Sequence, residues 1–414
     1  MSIVTTEKRS NYIFVIFTLF LLIKGFFRKL FPSLGEAFYL TSDILLIVLI
    51  LINLSNNINF EKKRVGAYLC YISLFVAILP AAINSFIDNK NIIIILGIRE
   101  YLFPPLVFFA GLSFFSVKDN LNRFLTLIKV VGIIAAALGI AVVIFGITSP
   151  LFTPIEGHLE SHSSEFGEFG YVASIFDSPE KYTYFLLFVL CYTFPSYRSK
   201  GFKTLLYCSV ILFGLALSGR RVGIVLAICN IIIFFTLVNR NFKVYILLLL
   251  FSPILILMYY SIAFTLLQVL ATATIPNILY YFGEWLLEDI KTILGINVKM
   301  ISSNFGQGSP GALNYFENVE FWGVESLISR ILYYVGAFGF VIISILLISM
   351  IYTLFSRWRQ SPTPLLYSSL TFCVSTILWN IKSGNFLVWP EFFYISVAIG
   401  ISQIGLKAST RAIN

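Results

Sequence analysis

Long apolar runs separated by short polar breaks set the rhythm of this chain. Runs near 12–27, 37–54, 65–84, 98–115 and 124–147 open it. Others follow near 182–196, 203–218, 222–238, 243–262, 327–355, 364–380 and 386–406. A helix of about 20 apolar residues spans the ~30 Å hydrocarbon core of a bilayer. The pattern therefore predicts an all-α fold, one polytopic domain over residues 1–414 with about twelve transmembrane helices. The stretch Leu205–Val238, LLYCSVILFGLALSGRRVGIVLAICNIIIFFTLV, shows how such runs divide. As one helix it would be roughly 50 Å long. It reads instead as two helices that cross and return, with Ser218-Gly219-Arg220-Arg221 at the turn. An arginine at the bilayer centre costs about 3 kcal/mol, so the pair belongs at an interface or in a wet cavity. Pro104-Pro105 should kink the fourth run.

Composition changes this picture little. Of 414 residues, 58% are hydrophobic and only 12% charged, about half the charged fraction of a soluble protein. Soluble enzymes and nucleic-acid-binding proteins are thereby excluded, and the net charge of +9 has to be judged by sidedness. Cys70, Cys191, Cys208, Cys229 and Cys373 all fall inside apolar segments, where they read as packing residues. No small-residue cleavage site follows the first run, so no removable signal peptide is expected there.

Charge alternates along the connections. Segments assigned to the cytoplasm hold Lys8, Arg9, Lys62, Lys63, Arg64, Lys118, Arg123, Arg198, Lys200, Lys203, Arg240, Lys243, Arg357, Arg359, Lys407 and Arg411. Only Glu7, Glu61 and Asp119 accompany them. Excess Lys and Arg mark the cytoplasmic side, so both termini are expected there. One loop departs from the rule: Lys24, Arg28 and Lys29 fall on the opposite face, where snorkelling to lipid phosphates is the reading favoured over a site role. Lys129 is left inside a span.

This topology sends Arg220 and Arg221 to the outer face, with Arg99, Arg330 and Lys382 at outer ends of spans. Two extracytoplasmic loops, 148–181 and 263–326, lie on the same side. The second is too long for a bare connector. Its part IPNILYYFGEWLLEDIKTILG (275–295) places Ile278, Tyr281, Phe282, Trp285, Leu286 and Ile293 along one stripe, an amphipathic helix suited to the headgroup plane or a cavity mouth. ISSNFGQGSPGALNYF (301–316) follows and reads as a mobile loop. No GxxxxGK[ST] or GxGxxG motif is present on the cytoplasmic side, so ATP hydrolysis and dinucleotide chemistry have no support.

Three constellations could carry chemistry. Arg99, Arg220, Arg221 and Arg330 could converge on a pyrophosphate, because a guanidinium grips two phosphate oxygens and stays charged when partly desolvated. Each could equally anchor its own helix at the interface. Glu325, Asp177 and Glu180 form an acidic set. A carboxylate in a dry pocket can take a proton from a sugar hydroxyl, although Asp177 and Glu180, before a helix, fit capping better. EGHLESH (156–162) spaces His158 and His162 four apart. Its order is not that of a zinc hydrolase, and a solvated loop touching saccharide suits it better than a metal site.

These features together resemble the O-antigen polymerase and O-antigen ligase superfamily of bacterial membrane glycosyltransferases, the Wzy-type proteins. A span opens at IRE, DSPEKYTYF precedes another, and LALSGRRVGIVLA carries the arginine pair. A large outer loop then leads into ESLISRILYYVGAFG. The resemblance implies a bacterial inner-membrane enzyme that joins undecaprenyl-pyrophosphate-linked oligosaccharide repeats at the outer face. It assigns pyrophosphate binding to Arg99, Arg220, Arg221 and Arg330, with Arg220 and Arg221 alternatives for one role. Glu325 is the first choice to assist deprotonation, and Asp177, Glu180, Trp285, His158 and His162 are expected near the substrate. Partners would be the lipid-linked oligosaccharide, the bilayer and a chain-length regulator protein, with no nucleic acid. No cofactor or metal is required if arginines neutralise the pyrophosphate. The family's ligases place a functional histidine in the large outer loop. Residues 263–326 contain none, which favours a polymerase. A flippase for the same lipid-linked substrate is the alternative outside enzymology.

Overall fold

The computed structural model describes residues 3–55, 65–87, 94–95, 97–99, 101–102, 106–107, 114, 118–145, 172–176, 178–194, 201–218, 221–234, 299–305, 327–383, 394–395 and 397–398. Among the described residues all regular structure is helical and none is strand. The longer elements are α1 (Ile3–Leu30), α2 (Gly35–Ser55), α3 (Val65–Ile87), α4 (Lys118–Ile144) and α5 (Pro179–Thr193). After them come α6 (Phe202–Leu217), α7 (Arg221–Ile233), α8 (Leu327–Tyr334), α9 (Gly336–Gln360) and α10 (Pro364–Ser383).

Turn chemistry fixes the hairpins. α1 and α2 are joined by Pro32–Leu34, a 3-10 turn whose Leu34 N–H donates to the Phe31 carbonyl at 3.0 Å. Phe38 of α2 meets Phe27 and Phe20 of α1, so the two helices run antiparallel. Between α9 and α10 the chain turns at Ser361–Thr363. There the Thr363 hydroxyl accepts from Leu366 N–H at 3.3 Å and Pro364 supplies the preset φ of a first helical residue. The arginine-bearing stretch breaks where its polar residues lie: α6 ends at Leu217 and α7 starts at Arg221.

α5 is the axis of the bundle. Thirteen of its 15 residues are buried, and α4, α6, α7 and α10 all pack on it. Close approach comes from small residues. A Cβ at Gly214 of α6 would lie 2.7 Å from the Tyr182 hydroxyl and 2.9 Å from the Ala136 Cβ. One at Gly132 of α4 would lie 2.7 Å from Val189. On α4 the buried stripe Gly132, Ala135, Ala136 and Gly139 repeats every three or four residues, so one smooth face meets α5 and α6.

The backbone ahead of α5 is irregular yet buried, and its polar groups are satisfied in turn. Val172 N–H donates to Leu217 O at 3.3 Å, Phe176 N–H to Ala173 O at 2.9 Å, and the Ser174 hydroxyl to Ala135 O at 2.9 Å. Ser174 sits at φ 51, uncommon for a residue with a side chain.

The run 327–355, expected as one helix, is two. Gly336 at φ +91 separates α8 from α9. The cause is the segment 299–305, which crosses here. A Cβ on Gly336 would come within 2.8 Å of both the Met300 carbonyl and the Ser302 N–H. Ala337 and Phe338, whose amides no helical carbonyl serves, donate instead to Lys299 O (3.2 Å) and Met300 O (3.1 Å). Residues 301–305 are therefore anchored, contrary to their expected mobility. Phe305 is fully buried beside Tyr101, and its N–H donates to the Ser85 hydroxyl at 3.1 Å.

Among the described residues two helices, Asp119–Ile144 and Gly336–Gln360, are long and apolar enough to cross a membrane, with only 28% and 17% of their most apolar windows buried in the protein. Their outward residues are apolar too. Val341, Ile345, Ile348 and Phe355 of α9 are exposed, as are Val130 and Ile134 of α4. α3 follows the same rule. Leu74, Ala77, Ile78 and Ala81 face inward, while Ile72, Phe75, Val76, Leu79 and Ile83 face out.

Candidate functional site

One end of the bundle gathers the elements that carry three of the expected site residues. A Cβ at Gly223, in the first turn of α7, would meet Thr183 of α5 and the Trp379 ring of α10. The N-terminus of α5, the N-terminus of α7 and the C-terminal end of α10 therefore lie together. α8 packs on α10 and sits at the start of α9, which brings it to the same end. Glu180 occupies the first turn of α5, Arg221 opens α7, and Arg330 lies on α8, half-buried beside buried Ile331.

Under this end runs a seam of neutral polar groups. Tyr184 stacks on Trp379 with ring centroids 4.4 Å apart, and its hydroxyl accepts from Asn380 Nδ2 at 2.6 Å. The same nitrogen donates to Thr376 O at 2.7 Å. Deeper along the helices Asn230 of α7 donates to the Ser375 hydroxyl at 2.9 Å, and Tyr367 donates to Asn230 O at 3.0 Å. The Tyr192 and Ser369 hydroxyls lie 2.8 Å apart. Each group has its bond across or along the helices, which holds α5, α7 and α10 in register.

A second buried group is ionic. Lys24 and Lys29 of α1 are only 2% and 8% exposed. Lys29 Nζ donates to the Ser174 carbonyl at 2.9 Å, tying α1 to the turn ahead of α5. Asp43 of α2 accepts from Arg99 Nε at 2.5 Å and lies within Coulombic reach of Lys24. The snorkelling expected of Lys24 and Lys29 thus fails, because α1 turns this face toward α2 and the 172–176 turn. Arg99 joins this group through Asp43. Lys129 of α4 lies over the Tyr207 ring at 4.2 Å from its centroid.

The capping alternative for the acids resolves at a neighbour. Ser178 is the N-cap of α5, its hydroxyl accepting from Lys181 N–H at 3.4 Å, with Pro179 first in the helix. Glu180 is a first-turn acid at that helix start. Asp177, Arg220, Glu325, Trp285, His158 and His162 lie outside the described residues, as do the helix expected at 275–295 and the pair Pro104-Pro105.

Sequence reasoning passed over Asp43. The signal was available: a lone carboxylate in the middle of an apolar run, with basic residues on the preceding run at helical spacing. No family model matches the chain, and no curated protein matches it either.

Proposed function

We propose that the chain is a multi-pass membrane glycosyltransferase that polymerises lipid-pyrophosphate-linked oligosaccharides at the outer face of a bacterial inner membrane. The observation carrying this reading is the meeting of α5, α7, α8 and α10 at one end, since these elements bear Glu180, Arg221 and Arg330. The apolar outward faces of α3, α4 and α9 support a lipid surround, because water would not tolerate such contiguous patches. In the proposed reaction an acceptor hydroxyl attacks the anomeric carbon of the donor chain. The bond from that carbon to the pyrophosphate oxygen breaks, and undecaprenyl pyrophosphate leaves with the electron pair. Arg330, with Arg221 or Arg220, stabilises the charge gathering there, and Glu325 takes the hydroxyl proton.

The test uses purified protein with undecaprenyl-pyrophosphate-linked repeat units in detergent. Wild type is expected to build a ladder of longer lipid-linked chains. Arg330→Ala should slow it about 100-fold, the effect of losing one contact of about 3 kcal/mol in the transition state. Lys203→Ala, at an exposed position of α6, should leave it unchanged. A competent wild type that builds no ladder rules the polymerase out.

The flippase reading is favoured by one observation, the Lys24–Asp43–Arg99 group, because ions placed within apolar helices commonly mark a transport path. It requires the lipid-linked oligosaccharide to cross a vesicle membrane without being lengthened.

A further inference from the structure

We propose that the last turn of α9, beside the turn into α10, binds the headgroup phosphate of an anionic phospholipid, with Arg357 as the residue that holds it. The inference uses α9 as a membrane-crossing helix and does not rest on glycosyl transfer.

Helix length sets the depth of this end. α9 has 25 residues, about 37 Å of helix against a hydrocarbon core of ~30 Å. Counted from Gly336, about twenty residues fill the core, and Arg357 and Arg359 in the last turn fall at headgroup depth. The two arginines end different faces. Arg359 continues the outward stripe of Val341, Ile345, Ile348, Tyr352 and Phe355, all exposed and spaced alternately four and three apart. Arg357 ends the inward face, below buried Ile343 and Leu354 and partly buried Met350. An acyl chain lying along the stripe therefore brings its phosphate to the turn that carries both cations. α8 and Arg330 lie at the opposite end of α9, about 30 Å away, so this is a place distinct from the proposed reaction site.

Arg357 is the residue that lacks a counter-charge. Its Nη1 is buried and has no hydrogen-bond partner. Among the described residues no carboxylate pairs with its guanidinium, and no carbonyl of the last turn accepts from it. An arginine at a helix C-terminus ordinarily serves the last carbonyls or the helix dipole. Here the Arg357 carbonyl is taken instead by Ser361 N–H at 2.9 Å. A cation drawn partly into the protein with no anion from the same chain is costly, and an anion from the bilayer surface completes it. Basic groups between membrane helices at such an end suit phosphate headgroups, and the planar guanidinium suits a phosphate better than an ammonium does.

The turn is held before any lipid arrives. Trp358, between the two arginines, packs on Phe355 and on Tyr367 of α10, with ring centroids 6.1 and 6.4 Å away. Thr363 N–H donates to Ser361 O at 2.8 Å. Little ordering of the backbone is left for binding to oppose.

The test is competition binding of radiolabelled phosphatidylglycerol to immobilised full-length protein in detergent. Competitors are unlabelled phosphatidylglycerol, phosphatidylcholine and inorganic phosphate at equal concentrations. Wild type should bind saturably, with phosphatidylcholine competing about tenfold less well and inorganic phosphate not at all. Arg357→Gln should bind about tenfold more weakly. Arg357→Lys keeps the charge and loses the planar fork, so it should lose about threefold, and it carries the test if the glutamine variant does not fold. Lys203→Gln, at an exposed basic position of α6, should bind as wild type does. The inference is overturned by the absence of saturable binding in wild type, or by unchanged affinity in folded Arg357→Gln or Arg357→Lys. An equal loss in Lys203→Gln overturns it in favour of diffuse charge. Equal competition by inorganic phosphate overturns the lipid, and equal competition by phosphatidylcholine overturns the requirement for an anionic one. No saccharide is present, so the inference and the proposed function can fail separately.

Discussion

The seam between α5, α7 and α10 buries Tyr184, Asn230, Ser375 and Asn380 as neutral groups, whereas the junction of α1 with α2 buries Lys24, Lys29 and Asp43 as ions. A neutral group of this kind needs one or two hydrogen bonds, and a bond between apolar helices contributes on average about 0.6 kcal/mol. An ion gives up several kcal/mol of hydration and recovers it only through well-placed partners. Neutral groups are therefore a low-cost way to set the register of a bundle. A buried cluster of ions is a poor way to achieve the same end, and apolar side chains of similar volume would stabilise the hairpin at least as well. The contrast points to a structural role for the seam and to a role beyond stability for the ionic group.

The largest expected effect tests the ionic side. Asp43→Ala removes the anion next to Lys24 and Arg99, and breaking a buried pair in this way costs about 3 kcal/mol. Arg99 is a quarter exposed and will recover part of its hydration, so the loss should fall at the low end of the range for buried pairs. Adding Arg99→Leu to Asp43→Ala should restore part of the stability. A double-mutant cycle by denaturant unfolding in detergent should give a coupling above about 1.5 kcal/mol. A coupling near zero would make the pair an incidental surface contact and dissolve the contrast.

A somewhat smaller effect tests the packing that supports the seam. Gly214→Leu forces side-chain atoms into the space of the Tyr182 hydroxyl, Ala136 and Leu186. Overpacking of this kind costs about 2 kcal/mol, and α5 would have to move away from α4 and α6. The measurement is the same unfolding series. Unaltered stability would mean that the three helices do not meet as closely as these contacts require.

Local rules made much of this legible in advance. Polar Ser218-Gly219-Arg220-Arg221 marked the α6–α7 break, and the apolar run near 364–380 matches α10, because these signals act within a short stretch of chain. What stayed hidden depends on contacts between distant segments. Gly336 takes positive φ because Met300 and Ser302 press against it from more than thirty residues away. Phe305 lies in a stretch rich in Ser, Asn and Gly that reads as loop, and it is buried by Ser85 and Tyr101. Lys24 and Lys29 read as snorkelling residues because a sequence does not say which face of α1 meets α2. The short run at 182–196 proves to be an enclosed helix, α5, with thirteen of its 15 residues buried, since burial on nearly every side removes the need for length. At the candidate site, the residue types were readable while their grouping was not. Arg99 read as one of four like arginines, while its partner Asp43 did not stand out at all.

The smallest expected effect belongs to Tyr184→Phe, and it tests whether the seam is only structural. The substitution keeps the ring and its stacking on Trp379. It removes one acceptor from Asn380, whose side-chain nitrogen still donates to Thr376 O at 2.7 Å. One of the two amide hydrogens of buried Asn380 loses its acceptor while the other keeps its bond, so the loss should be about 1 kcal/mol, the low end for a buried group left unsatisfied. Asn230→Leu offers a harsher comparison, since it strips the Ser375 hydroxyl of its partner and should cost about 1.5 kcal/mol. Neither change should alter polymer formation by the protein that remains folded. The position of Tyr184 makes this a demanding test. It follows Thr183, which lies against the first turn of α7 where Arg221 begins the helix. If Tyr184→Phe keeps its stability but loses the ladder, the hydroxyl acts on substrate or on the arginines above it, and the seam joins the site. If stability and ladder both survive, the neutral groups hold the helices and the ions remain the place to look for chemistry.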